Sequence, residues 1–421
     1  MLNNLRVFLF QNQTLRQTVI KNTFWLLLGQ GAGRLLRAAI VIYAARLLGA
    51  AGFGAFSYAL GLAAFFTVLA DMGLGGVLVR GMIQRPLARG RYFSATLIAK
   101  SVFVLLSFLV IVILGPLITQ IPEALPLLPL AALILLFDSF RDFSLVLVRA
   151  KEKMEWEAAV TIFTNTAIAA LGFLFLWLSP TSQALSWAYV LGSGSGLLVI
   201  FWPLRSYLQN LWADFEWGLA KKVIGEGWPL AVAGLLGGTM LNIDILMLGF
   251  WRPAAEVGFY AAAQKPIQII YAFTATAATA LFPAFGRLAR QNQEHFRQVV
   301  NQVLWLTLII TFILAAGGLI FGNLIIQLLY GNNYNQAILI FKILAFTFLI
   351  NCPLIIIFNA LFAAGRQRIF LVSSAVAAAS NIVFNALFIP FWGGAGAALS
   401  TVITQTIAAF FLWRWKKKII G

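Results

Sequence analysis

Long apolar runs, each bounded by charges, Pro, Gly or Asn, follow one another along the whole chain. A helix needs about twenty apolar residues to cross the hydrocarbon of a bilayer, and in lipid only helices and closed barrels satisfy their own backbone polar groups. Runs of that length predict spans over 22–44, 54–78, 93–114, 125–148, 158–178 and 185–204 in the first half. The second half predicts spans over 228–250, 257–283, 303–326, 337–358, 369–389 and 395–413. The fold class read from this pattern is all-α: a polytopic membrane protein of about twelve transmembrane helices.

Composition agrees with the pattern. Of 421 residues, 61% are hydrophobic and 10% are charged, against roughly 25% charged in a soluble domain. A formal charge of +17 would suggest nucleic acid if it lay on a water-soluble face. The basic residues gather in loops instead, and Trp25, Trp156, Trp228 and Trp413 sit where apolar segments begin or end, as interfacial anchors do. Cys352, the single cysteine, lies in an apolar run, so no intrachain disulfide and no thiolate metal site is expected. His295, the single histidine, sits in a polar loop and reads as a surface residue. The first twenty residues lack the basic-then-apolar order of a cleaved signal peptide.

Short cytoplasmic loops carry an excess of Lys and Arg. With the N-terminus inside, that side collects twenty-two basic residues, in 6–21, 80–91, 149–153, 205–222, 287–297, 366–368 and 414–418, and the other side holds only Arg46 and Arg252. Both termini are therefore expected in the cytoplasm. The polar connection 205–227, with Trp212, Asp214, Glu216, Trp217, Lys221 and Lys222, reads as an amphipathic cytoplasmic linker. It divides an N-lobe of six spans, 22–204, from a C-lobe of six, 228–413, with a basic tail over 414–421. Residues 1–21, with Leu5, Phe8 and Leu9 on one helical face, read as a surface helix or a disordered terminus. Weak self-similarity relates 53–59 to 257–263, and six spans per lobe make such a repeat parallel.

An ionisable side chain inside a span costs about 2.5–3.5 kcal/mol on insertion scales, so it faces a partner or a wet cavity. Arg34 and Arg37 lie thirteen and sixteen residues beyond Lys21, about 20 and 24 Å along a helix, too deep to snorkel easily. Gln30, Arg34 and Arg37 share one face, and the two like charges require an anion nearby. Asp138, Arg141 and Asp142 share a face of the fourth span. Two arrangements are open: the carboxylates hold Arg141 and one first-span arginine in a closed network, or the arginines form a cationic cavity wall for a phosphate-bearing or acidic ligand. Lys265, just before Pro266 in the eighth span, is the counterpart in the second lobe. Lys100 and Lys342 lie nearer their helix ends and are expected to snorkel. Asp71 and Asp244 are candidates for carrying a coupling proton or for bridging neighbouring helices.

Asn22-Thr23-Phe24-Trp25, Ala45-Arg46-Leu47-Leu48-Gly49 followed by Phe53-Gly54, and Asp71-Met72-Gly73-Leu74 form an ordered N-terminal set. Asn242-Ile243-Asp244-Ile245-Leu246-Met247-Leu248-Gly249, the segment 257–263 and Phe282-Pro283 continue it. In these motifs the chain resembles the bacterial polysaccharide transporters, the lipid-linked oligosaccharide or O-antigen flippases of the multidrug/oligosaccharidyl-lipid/polysaccharide (MOP) exporter superfamily. The resemblance implies two lobes around a central cavity in the cell inner membrane. It implies transport of an undecaprenyl-diphosphate-linked oligosaccharide to the outer leaflet by alternating access, and polysaccharide assembly proteins as further partners. Arg34, Arg37, Arg141 and Lys265 match the cationic cavity such proteins are thought to use, with Gln30 on the same face. Asp138, Asp142, Asp71 and Asp244 are left for ion pairing or for coupling to H+ or Na+, and no cofactor is implied.

Multidrug members of the superfamily favour acidic cavities, which two arginines in the first span argue against. A cation-coupled drug antiporter is the alternative. Peptidoglycan-precursor flippases typically carry two further C-terminal helices, not expected here after Lys418. A membrane glycan polymerase or ligase would need a substantial outer loop with acid/base residues, and the short outer loops 115–124, 179–184 and 327–336 offer one carboxylate, Glu123. No enzyme chemistry is expected.

Overall fold

The computed structural model describes residues 15–419, so Leu5, Phe8 and Leu9 of the expected surface helix lie outside the described residues. Among those described there is no β-strand. The helices are α1 (Leu15–Asp71), α2 (Leu74–Gln84), α3 (Arg89–Leu109), α4 (Gly115–Ile118), α5 (Leu128–Ala150), α6 (Met154–Leu178) and α7 (Ser182–Gln209). Then come α8 (Trp217–Trp251), α9 (Ala254–Gln291), α10 (Gln293–Tyr330), α11 (Asn335–Ala345), α12 (Thr347–Ala363) and α13 (Gln367–Ile419).

Two of these are far longer than one crossing. The 57-residue α1 leaves helical geometry at Gly49 (φ 65°, ψ 177°) and the 53-residue α13 leaves it at Gly393 (φ 52°, ψ −130°). Glycine supplies the positive φ that lets the helix break there at no steric cost. Eight described segments are long and apolar enough to cross a membrane, and α11 with α12, bent by 44°, makes a ninth as one broken span. With each glycine break dividing its segment in two, and with the apolar end of α8 over Asn242–Trp251, this architecture is consistent with the twelve expected spans. The bend between α11 and α12 has a local cause. Thr347 Oγ1 is bonded both to Tyr271 Oη and to the Leu344 carbonyl, inside the helix ladder.

The chain forms two compact units. The first comprises the described residues up to Leu47 with Leu62–Thr119 and Ala124–Leu235, and the second comprises Leu48–Gly61, Gln120–Glu123 and the described residues from Leu236 on. Leu78, Phe93, Phe143, Val160 and Ile200 share one buried cluster in the first unit. Phe285, Phe296, Val300, Ile357 and Leu412 share one in the second. The polar connection 205–227 is mostly helical, since α7 runs to Gln209 and α8 begins at Trp217. Leu106, Leu198, Ile320 and Leu324 are exposed in the middle of long helices, the arrangement of a protein whose outer solvent is lipid. Cys352 is buried, as its apolar run predicts, and His295 is exposed in the first turn of α10.

Candidate functional site: a cationic cavity in the first unit

The first unit holds an open cavity of about 650 Å³, to which Gln30, Arg34 and Arg37 of α1 and Arg141 and Asp142 of α5 contribute. Lys100 of α3, Asp71 at the end of α1, and Arg149 and Glu157 line it as well. Its wall thus carries more positive than negative groups, and which carboxylate holds which cation decides what remains for a ligand.

Three cations are matched locally. Arg141 donates to Asp138 at 2.7 Å and to Asp142 at 2.8 Å, so both aspartates of the fourth span hold the arginine of their own helix. Arg149 makes a two-pronged pair with Glu157, Nε to Oε2 at 2.8 Å and Nη2 to Oε1 at 2.6 Å. Lys100 lies 2.9 Å from Asp71 and 5.8 Å from the centroid of the Phe143 ring. The expectation that Lys100 snorkels is corrected by this geometry. Its side chain is 2% exposed, because a carboxylate and an aromatic face are supplied to it inside the unit. Asp71 is thus ion-paired with Lys100 in this structure.

Arg34 and Arg37 are different. Neither forms an ion pair among the described residues, so the network of Asp138 or Asp142 with a first-span arginine is not formed. Arg34 has no hydrogen-bond partner among the described residues and is exposed, while Arg37 donates from Nε to Asn165 Oδ1 at 3.0 Å. Lys100 with Asp71 and Arg149 with Glu157 are neutral pairs, Arg141 with its two aspartates carries one negative charge, and Arg34 and Arg37 add two positive ones. The site keeps one net positive charge, concentrated on one face of α1. An anion with hydrogen-bond acceptors is the ligand this face can take.

The second unit holds a separate polar centre. Asp244 of α8 is 1% exposed and accepts from Asn385 Nδ2 at 2.6 Å, Tyr260 Oη at 2.6 Å and Thr401 Oγ1 at 2.9 Å. No cation pairs with it among the described residues. It borders a cavity of about 240 Å³ that Gln264, Gln268, Tyr271 and Asn351 also line. Lys265, half-buried on α9, lines neither cavity. Among the described residues no group of three or more His, Cys, Asp or Glu side chains could hold a metal ion.

A family model described as "Polysaccharide biosynthesis protein" matches residues 19–289, nearly two-thirds of the chain. The chain belongs to the polysaccharide biosynthesis protein family. The MatE family model also matches, over residues 229–387. One relative of this polysaccharide biosynthesis protein, named as a candidate O-antigen transporter of Shigella flexneri, is 23% identical over 414 residues, covering 94% of this chain and 97% of its own. Among solved structures, the lipid II flippase MurJ in an inward closed conformation superposes with a TM-score of 0.74 at 16% identity, covering 92% of this chain and 86% of its own. An inward-facing MATE multidrug transporter of the MOP superfamily gives 0.71 at 16% identity, covering 92% and 94%. The fold is that of the MOP exporters, as the sequence motifs implied.

Sequence reasoning missed Asn165 and Tyr189 in this family member. Arg37 lies 5.7 Å from the centroid of the Tyr189 ring as well as bonding Asn165. The available signal was a lone Asn in the apolar fifth span together with Gly29, Gly33 and Arg37 spaced four apart on α1.

Proposed function

We propose that the chain is a flippase moving a polyprenyl-diphosphate-linked oligosaccharide from the inner to the outer leaflet of the bacterial inner membrane, for surface polysaccharide biosynthesis. The transporter and flippase names of the relatives support the class, a membrane transporter and not an enzyme. The observation that carries the finer reading is the pair Arg34 and Arg37, two arginines deep in a predicted span, lining a cavity and matched by no carboxylate among the described residues. Burying such charges is costly unless an anion or water meets them, and a diphosphate offers both the charge and the paired acceptors that guanidinium forks bind. The names of the O-antigen transporter and the lipid II flippase point the same way. A cation-coupled drug antiporter is disfavoured, because the net positive wall repels a cationic drug.

Alternating access is the motion, and both termini face the cytoplasm in this reading, supported by the basic asymmetry of the loops. Asp244 is the candidate coupling group for H+ or Na+, supported by a buried carboxylate that, among the described residues, neutral donors hold. Polysaccharide assembly proteins are the further partners proposed.

The reading is tested by comparing membrane abundance with surface polysaccharide in Arg34→Ala and Arg37→Ala. Abundance near wild type with export lost by about tenfold or more is expected, since a charged hydrogen bond to the cargo is worth about 1.5–3 kcal/mol. Arg→Lys should rescue only in part. Full export by both alanine variants would remove the anion-binding role.

A further inference from the structure

Arg37 commits one N–H to the protein and keeps the rest. Its Nε donates to Asn165 Oδ1 at 3.0 Å and its guanidinium carbon sits 5.7 Å from the Tyr189 ring centroid. A guanidinium has N–H groups on Nη1 and Nη2 besides Nε, and these meet no acceptor among the described residues although the side chain lines the cavity. With Nε taken, the edge left for recognition is the pair of terminal nitrogens. That edge binds a phosphoryl or carboxylate group end-on through two parallel hydrogen bonds.

Asn165 is itself held for this contact. It is 8% exposed, and its Nδ2 donates to the Thr161 carbonyl at 2.7 Å, which leaves Oδ1 to accept from Arg37. Gly33, one turn before Arg37, makes the room. A Cβ there would fall 2.8 Å from Asn165 Nδ2 and 3.3 Å from Thr161 Cγ2. A turn earlier, a Cβ on Gly29 would fall 2.7 Å from Ala158 Cα, so α1 and α6 approach backbone to backbone along the face that ends in Arg37. If this contact only fastened α1 to α6, a neutral side chain would serve without placing an unmatched charge in the membrane.

We propose that Asn165 is the positioning residue of the anion site: it takes the Nε of Arg37, fixes the guanidinium beside Tyr189, and leaves the two terminal nitrogens as an end-on clamp for one phosphoryl or carboxylate group of the cargo. The inference rests on the anion-binding reading of the cavity. Its sequence correlate is the set Gly29, Gly33 and Arg37 on one span with Asn165 on another, each needed to set the next.

Titration of the purified full chain with farnesyl diphosphate, a short polyprenyl diphosphate, tests it. Asn165→Asp is isosteric and sets a carboxylate against Arg37, so affinity should fall about tenfold or more while the melting temperature holds or rises. Asn165→Ala should weaken binding about three- to tenfold. In an Arg37→Ala background Asn165→Ala should not weaken binding further, because a positioning residue acts only through the group it positions. Equal losses with and without Arg37, or unchanged affinity in Asn165→Asp, would overturn the positioning role and leave the cavity reading standing. Full affinity in Arg37→Ala alone would overturn the cavity reading and this inference with it. If Asn165→Ala does not fold, Asn165→Ser with its Arg37→Ala double variant completes the comparison.

Discussion

Gly54 and Gly258 meet without side chains between them: a Cβ on Gly54 would fall 2.7 Å from the backbone nitrogen of Gly258, and one on Gly258 would fall 2.8 Å from the Ala50 carbonyl carbon. Both lie in the second unit, and they occupy matching places in the repeated segments 53–59 and 257–263. The weak sequence repeat thus corresponds to a reciprocal backbone contact. Gly54→Ala or Gly258→Ala forces these helices apart and should destabilise by about 1–3 kcal/mol, the usual cost of overpacking. Melting curves of the purified variants in detergent check this. Wild-type melting in both would show that the helices separate at no cost.

The Lys100–Asp71 pair is asymmetric, with Lys100 2% and Asp71 49% exposed. Removing the carboxylate strands a buried ammonium, whereas removing the lysine leaves a carboxylate that water can reach. Asp71→Ala should therefore cost more, up to about 3 kcal/mol, than Lys100→Met, which keeps the volume and removes the charge. Thermal denaturation of the two variants measures the order, and the reverse order would mean that Asp71 depends on Lys100 rather than the converse.

Asp244→Asn preserves shape but removes the acceptor charge that Asn385, Tyr260 and Thr401 converge on. If Asp244 carries the coupling ion, export should fall by about tenfold or more with abundance near normal. Melting in sodium chloride against choline chloride then separates the ions: a sodium-dependent rise in wild type that Asp244→Asn abolishes identifies Na+, and its absence leaves H+. Normal export by Asp244→Asn would end the coupling role.

The topology is checked with single cysteines placed at Arg85, Lys151 and Arg290 in a Cys352→Ala background, a change made in the buried interior of the second unit. Membrane-impermeant thiol reagents added to intact cells should leave all three unmodified, and strong labelling at any one would break the cytoplasmic assignment of these loops.

The hydrophobic runs, their lengths and the crowding of arginine and lysine on one side of them are local properties of the chain. A helix rises about 1.5 Å per residue whatever surrounds it, so the long apolar helices, and the places of Arg34 and Arg37 along the first of them, were legible in the sequence alone. Even the two helix breaks at Gly49 and Gly393 fall between predicted spans. Partner choice is not local. Arg37 and Asn165 are 128 positions apart, Asp244 and Asn385 141, and Asp244 and Thr401 157. Sequence spacing shows which residues share a helix face, so Asp138, Arg141 and Asp142 could be grouped in advance. It does not show which face meets which, so it left open whether those aspartates would reach a first-span arginine, and it sent Lys100 to the interface instead of to Asp71. Close packing decided both, because a charge placed in lipid or protein takes whichever counter-charge the neighbouring helix brings within about 3 Å, and at Arg34 and Arg37 no neighbouring helix among the described residues brings one.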